Sequence, residues 1–332
     1  MEGKEGVANR KPLSCCLVHL ATRDVNKHQF IEIDKKVASF LTLIQSIMEP
    51  EDVSEYSKEA YWSARYAKEP VFDWFNSVYP ACLEEIVREI NEAAPDFTGA
   101  PVSRTEVHVL HLGTGNSNLP FDLHDRFVAS PSVRLRQTAM DYSPVVIANM
   151  KEKWLQRCER GGGEERGTGI LGEADFIDWQ VGDIRFLRRD LHPHPSEQKK
   201  APAIATAASD AAPPAVAIAD AAAAVASPPR PLRYDVIVDK GTMDALQADK
   251  TNDQLDEDIE AMMAEVASLL RPSHAAPQEG EVVLGGGGRF LQVTWETPYF
   301  RYHYTKRPEY GWGAVSHKAL SDMYYFFTYR KA

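Results

Sequence analysis

Apolar residues along this chain alternate between two spacings, the three-to-four period of a helix and the short continuous or alternating run of a buried strand. Val37, Phe40, Leu41, Ile44 and Ile47–Met48 follow the first, and so do Leu83, Ile86, Val87 and Ile90. "VHVLHL" (107–112) reads as a buried strand, followed by a helix near 118–127 and a strand "RLRQTAM" at 134–140. In "DYSPVVIANMKEKW", Ser143 stands where a helix cap belongs and Pro144 at the first helical position, where a missing N–H costs nothing. Strands "IDWQV" (177–181) and "YDVIVD" (234–239) come next, then a helical face of Ile259, Met262, Met263, Val266, Leu269 and Leu270. Thr251 and Gln254 have the spacing of a capping box ahead of that helix. "RFLQVTW" (289–295) is a fifth strand, and the tail "YGWGAVSHKAL…MYYFFTYRK" reads as two more joined in a hairpin. Strands alternating with helices predict an α/β fold, a mostly parallel sheet covered on both faces, with an antiparallel C-terminal edge.

Three stretches interrupt the pattern. "RGGGEERGTG" (160–169) reads as a flexible loop, and 273–288 separates a helix end from the fifth strand. Residues 190–231 are Ala/Pro-rich, with Ala at 15 of the 27 positions from 201 to 227, too little apolar area to anchor a core. The expected organisation is an N-terminal extension, 1–54, partly helical, and one domain, 55–332, carrying the insertion 190–231 and the loop 273–288. Composition changes this little: 44% hydrophobic and 26% charged residues are ordinary for a globular protein. The net charge of −11 argues against nucleic acid as a main partner. Four cysteines without a CxxC pair point to a reduced, intracellular compartment. The start has too short an apolar stretch for a secretory signal, and the Ala-rich run, broken by Asp220, is no membrane span.

Candidate chemistry gathers where strands end. "HLGTGNSNLP" (111–120) leaves the first strand through a turn poor in side chains, which suits a close backbone approach. Asn118 stands where a dinucleotide fingerprint needs its third glycine, which weakens a dehydrogenase reading. The second strand ends at Asp141, the third in Asp183–Ile184, the fourth in Asp239–Lys240 with Asp244 beyond. In an open α/β sheet these ends border one crevice. Carboxylates there would repel a phosphate; they suit ribose hydroxyls, an adenine amine and a sulfonium, which together describe S-adenosylmethionine. The histidines show no metal-ligand spacing, and His111, inside a strand, reads as buried structure.

Five blocks, "EAYWSARYAKEPVFDWF", "VLHLGTGNSNL", "MDYSPVVIANMKEKW", "YDVIVDKGTMDAL" and "PYFRYHYTKRPEYGWG", resemble those of class I, seven-strand methyltransferases of the methyltransferase-like 13 type. Within these they are most similar to the eukaryotic elongation factor 1A lysine methyltransferases, over about residues 55–330 outside the insertions. The resemblance implies a Rossmann-like seven-strand sheet and S-adenosylmethionine as cofactor. Trp62, Tyr66 and Trp74 resemble the aromatic wall over that cofactor, and Gly113 the glycine beside its methionine part. Asp141–Tyr142 resemble the ribose pair, Asp183–Ile184 the adenine pair, and Lys240 the contact after strand four. Thr114 stands where relatives often have Cys, and neither long insertion has a counterpart. The implied activity is methylation of a protein lysine, with elongation factor 1A as the expected partner and a cytoplasmic monomer as the expected form.

Methyl transfer of this kind is an in-line displacement that needs alignment, a dry channel and a deprotonated amine. Asp239 and Asp244 are the candidates for orienting that amine, with no metal expected. The tail aromatics Tyr299, Phe300, Tyr302, Tyr304, Tyr310 and Trp312 either line a lysine channel or pack an edge strand. A small-molecule methyltransferase, favoured by a closed pocket, and a non-catalytic cofactor-binding module are the competing functions.

Overall fold

The computed structural model describes residues 49–50, 52–94, 105–161, 177–192, 233–273 and 286–332. The chain divides into two compact units, Met1–Glu51 and Asp52–Ala332, and the second contains the sheet. The expected helix at 37–48 and most of 160–169, 190–231 and 273–288 lie outside the described residues.

A short 3₁₀ turn, Val53–Ser57, and helix α1 (Glu59–Tyr66) precede α2 (Tyr79–Ala93). Then come β1 (Thr105–Leu112), α3 (Leu119–Phe127), β2 (Val133–Asp141), α4 (Pro144–Gly161), β3 (Ile177–Val181) and α5 (Leu187–Leu191). The chain closes with β4 (Val236–Lys240), α6 (Thr242–Gln247), α7 (Leu255–Leu269), β5 (Arg289–Thr294), α8 (Pro298–Thr305), β6 (Trp312–Ala319) and β7 (Tyr325–Lys331). These strands form one seven-stranded sheet in the order β3-β2-β1-β4-β5-β7-β6. β3, β2, β1, β4 and β5 pair in parallel, and β7 pairs antiparallel with both β5 and β6. The expected Rossmann-like sheet with an antiparallel C-terminal edge is the observed one.

Alternation along the strands divides the core between the two faces. Val107, Val109, Val236, Val238, Leu291 and Val293 pack against Ile86 and Ile90 of α2 and Leu123 of α3. Leu110, Leu112, Ile237 and Phe290 pack against Ile259, Met262 and Val266 of α7 on the other face. A third cluster joins Ile147, Met150 and Trp154 of α4 to Ala139 and Trp179. β5, buried at every position, is central, whereas β6 is mostly exposed and forms the edge.

Local expectations fare unevenly. Ser143 Oγ accepts the Val146 N–H at the start of α4, as its position before Pro144 predicts. The Thr251–Gln254 capping box does not form. The Thr251 hydroxyl bonds Asp249 Oδ1 at 2.7 Å and Asn252 Oδ1 takes the Gln254 N–H at 3.0 Å, so the loop's own turns use the groups a box needs. Strand four begins at Val236, and Tyr234 forms only an isolated bridge to Leu270. Among the described residues no helix is long and apolar enough to cross a membrane.

Candidate active site

The order of strands reverses between β1 and β4, which opens a crevice at the carboxyl ends of the strands. A cavity of about 790 Å³, open mouth included, lies there. Its floor is the turn after β1, its sides are the ends of β2, β3 and β4, and its wall is the strap Tyr56–Phe75 that runs ahead of α2.

The bare turn after β1 serves packing first. Gly113 has φ +50° and Gly115 φ +53°, a conformation costly to residues with a Cβ. A Cβ on Gly113 would collide with the Thr242 side chain, whose hydroxyl donates to the Leu112 carbonyl at 2.9 Å. A Cβ on Gly115 would stand 2.8 Å from the Tyr66 hydroxyl oxygen. The polar pair that follows holds the strap. Asn116 donates to the Glu69 carbonyl (2.7 Å) and accepts the Phe72 N–H (2.9 Å). The Ser117 hydroxyl donates to Asp73 Oδ2 at 3.1 Å. At the opposite side Lys240 Nζ donates to the same Asp73 oxygen at 2.8 Å, and the Ser63 and Ser143 hydroxyls meet at 2.6 Å.

The strap turns an interlocked aromatic surface to the cavity. Trp62 stacks on Tyr66 with centroids 5.5 Å apart and meets Trp74 edge-on at 5.2 Å. Trp62 Nε1 donates to the Tyr56 carbonyl at 2.7 Å. Arg65 lies 3.7 Å from the centre of the Phe72 ring. Rings fixed this way lose little entropy when a ligand arrives.

Asp141 sits at the end of β2, buried, with one carboxylate oxygen accepting the Gly115 N–H and the other the Ser143 N–H, both at 2.9 Å. Burial pushes its carboxyl up to about 6, against the pull of those two bonds. Asp183 is bound by Arg185 through Nε and Nη2. Burial pushes its carboxyl up, but the bonds from Arg185 outweigh that and hold it below the usual range.

Trp62, Tyr66, Trp74, Gly113, Asp141, Tyr142, Asp183, Ile184 and Lys240 all line this one cavity. Asp239 and Asp244 do not. Asp239 accepts the Thr242 and Met243 N–H groups and a bond from Gln292 Nε2 at 2.8 Å, which anchors the start of α6. Asp244 forms a fully buried ion pair with Arg301 of α8, and Thr294 donates to it at 2.6 Å. Burial raises both carboxyls, that of Asp244 to about 6. Their positions in the sequence suggested amine contact; in the structure their bonds hold α6 and α8.

No family model matches the chain. Its sequence is 24% identical over 291 residues to EEF1A lysine methyltransferase 4 of Mus musculus, covering 84% of this chain and 77% of that protein. The protein of the same name from Bos taurus is 22% identical over 289 residues, with the same coverage. The protein is an S-adenosylmethionine-dependent methyltransferase. Among solved structures, human N-acetylserotonin methyltransferase in complex with SAM aligns with TM-score 0.40 and 11% identity, over 84% of this chain and 58% of that one. The DhpI–SAM–HEP complex aligns with TM-score 0.40 and 13% identity, over 85% and 99%.

The residues present in the methyltransferase fit S-adenosylmethionine. Each Asp141 oxygen has given one acceptor site to a backbone N–H, and a carboxylate oxygen has a second for a ribose hydroxyl. Lys240 and Arg185, the cations lining the cavity among the described residues, are already paired with Asp73 and Asp183, so the donor set suits a cofactor without phosphate. No group of three or more His, Cys, Asp or Glu among the described residues could hold a metal ion.

Sequence reasoning missed Asp73, Tyr56, Phe72, Arg185 and Thr242, which also line the methyltransferase cavity. Asp73 is central, bound at once by Lys240 and Ser117. The signal for it was faint: an acid between aromatics in "VFDWF". The tail aromatics are divided by helix α8. Tyr299 and Phe300 are exposed, Tyr310 is buried, and Trp312 packs against the core, so "PYFRYHYT" is neither an edge strand nor a lining of this cavity.

Proposed function

We propose that this methyltransferase modifies the ε-amine of a lysine on a protein, and that elongation factor 1A, the substrate named for the relatives from Mus musculus and Bos taurus, is that protein. The observation that carries the proposal is the cavity's asymmetry: carboxylates and a bare turn on one side, a fixed aromatic wall on the other. Asp141 accepts the ribose hydroxyls, with Tyr142 beside it, and Asp183 and Ile184 take the adenine, Ile184 against the ring. Gly113 leaves room for the methionine part, and Lys240, held by Asp73, closes that end. Trp62, Tyr66 and Trp74 face the sulfonium, where ring faces favour positive charge.

When bound, the cofactor supplies an electrophilic methyl. The chain's own residues must then hold a neutral amine in line with it. A lysine of ordinary pKa ~10.4 is charged at neutral pH, and a desolvating aromatic surface disfavours that charge. Asp239 and Asp244 act at one remove, through the placement of α6, whose Thr242, Ala245 and Leu246 reach the cavity. The enzyme is proposed to work as a monomer in the cytoplasm.

Incubation of purified elongation factor 1A with the protein and labelled cofactor, followed by mass spectrometry of every lysine, is the test. Methyl gained on a discrete lysine is the expected result. Label on other proteins only would change the substrate and keep the lysine chemistry. Label in a small-molecule fraction alone would overturn the protein-lysine assignment.

A further inference from the structure

Large apolar side chains left exposed on the described surface concentrate at one edge of the molecule. Val71 lies on the strap, Phe186 just past the end of β3, and Trp295, Tyr299 and Phe300 just past the end of β5. Met323 is in the β6–β7 turn, which meets the end of β5 because Tyr325 pairs with Thr294. This is the edge where the cavity opens; Val53, in the 3₁₀ turn before α1, and Val181, the last residue of β3, are exposed as well, and Leu155 lies on α4. Clustered exposed apolar surface is unusual for a protein that works alone and marks a binding face.

The cluster is continuous with the cavity wall. Trp295 meets Trp74 at 4.9 Å and stacks on Phe75 at 6.1 Å, and Trp74 lines the cavity. Beyond it Tyr299 and Phe300, 82% and 58% exposed, pack edge to face on each other at 5.1 Å. Rings on the first turn of α8 are carried by a rigid base, because Arg301 of the same turn is locked to Asp244. Acidic side chains share the edge. Asp52, Glu55 and Glu59 stand with one lysine, Lys58, and the segment leading into α7 together with that helix's first turn carries Asp249, Asp253, Asp256 and Glu257 against Lys250. Lys58 and Asp249 lie close enough to attract, so the two acidic segments adjoin.

We infer that Trp295, Tyr299 and Phe300, flanked by these acids, form the docking surface for a folded protein with a basic, partly apolar face around its target lysine. The aromatic ledge covers the apolar part, the acids meet the basic side chains, and the lysine stem enters past Trp74. Aromatic anchors in a charged surround are the composition of an interface centre, and the charge fits a basic partner. This rests on the protein-lysine activity proposed above.

The test compares KM for the protein acceptor, elongation factor 1A or whichever extract protein the wild type labels, with the affinity for S-adenosylmethionine. The double variant Tyr299→Ser, Phe300→Ser alters only exposed rings, so folding is preserved. Its KM is expected to rise about tenfold or more, as for loss of interface anchors, with cofactor affinity within about twofold of wild type. Asp253→Lys should raise KM most at low salt, and Leu155→Ser, away from this edge, should change neither quantity. An unchanged KM in the double variant, with the wild type active on protein, overturns the docking surface alone. A wild type that labels no protein overturns the surface and the proposed activity together.

Discussion

The strap before α2 and the tail after β5 are both dense in aromatic residues, yet they do different work. In the strap, Tyr56, Trp62, Tyr66, Phe72 and Trp74 interlock with one another and line the cavity. In the tail the same residue types part company: Tyr310 and Tyr329 are core, while Tyr299 and Phe300 face water. Polar anchors make the difference. Asn116, Ser117 and Lys240 reach across from the sheet to hold the strap inward, whereas the Arg301–Asp244 pair pins α8 by its inner side and leaves its first turn facing out. Aromatic content says that a segment binds something; which buried polar group tethers it says what.

The tail's anchor should be the more costly to break. Arg301→Met strips the buried Asp244 of its countercharge, and should cost about 3–5 kcal/mol in urea denaturation. Arg301 Nε and Nη1 and Asp244 Oδ2 have no partner among the described residues. Adding Asp244→Leu to Arg301→Met should therefore recover much of the loss, since an imperfectly satisfied buried pair is readily replaced by apolar groups. A double variant as unstable as the single one would assign the pair a role in packing rather than in charge.

On the cavity side the largest loss should follow Asp141→Ala. Removing a charged acceptor costs about 1.5–3 kcal/mol, roughly ten- to hundredfold in cofactor affinity by calorimetry. Asp141→Asn keeps the shape and one acceptor oxygen and should fall between the two. Unchanged affinity in a folded Asp141→Ala protein would remove the ribose role.

Protonation offers a gentler version of the same change. The Asp141 carboxyl is raised by burial to about 6, and in the proposed ribose contact the ionised form is the one that accepts. Cofactor affinity should therefore be nearly flat well above that value and fall below it, by about fivefold (~1 kcal/mol) over the first unit and approaching tenfold per unit beyond. Asp183, held below the usual range by Arg185, stays ionised over that window. In Asp141→Asn the slope between pH 6 and 5 should vanish, which separates Asp141 from other titrating groups.

An effect of similar size concerns the strap itself. Asn116→Ala removes two bonds to residues 69–72 and should cost about 1–2 kcal/mol. Amide exchange should quicken from Tyr66 to Asp73, with the sheet unaffected. Exchange that quickens instead at Tyr299–Arg301 would mean that strap and tail are one cooperative unit rather than two separately anchored ones.

Much of this was legible in the linear order of residues. Strand alternation and helical spacing are set by backbone geometry that repeats every two or 3.6 residues, so the sheet, its longer helices and the antiparallel tail could be read directly, while the short helices α5, α6 and α8 could not. The acids at strand ends could be read too, because a strand's last residue has one place to be in an open α/β sheet. Other features depended on contacts between distant residues. Asp73 gains its meaning from Lys240, 167 positions away, and Asp244 from Arg301, 57 positions away. An aspartate just past a strand end reads the same whether it meets a substrate or a buried guanidinium; the register and tilt of α6 against α8 settle which. The chain's local pattern determined where a site would lie, and tertiary packing decided which charges face the cavity and which are sealed behind it. Periodicity is a property of neighbours in sequence, whereas the pairing of buried charges is a property of neighbours in space.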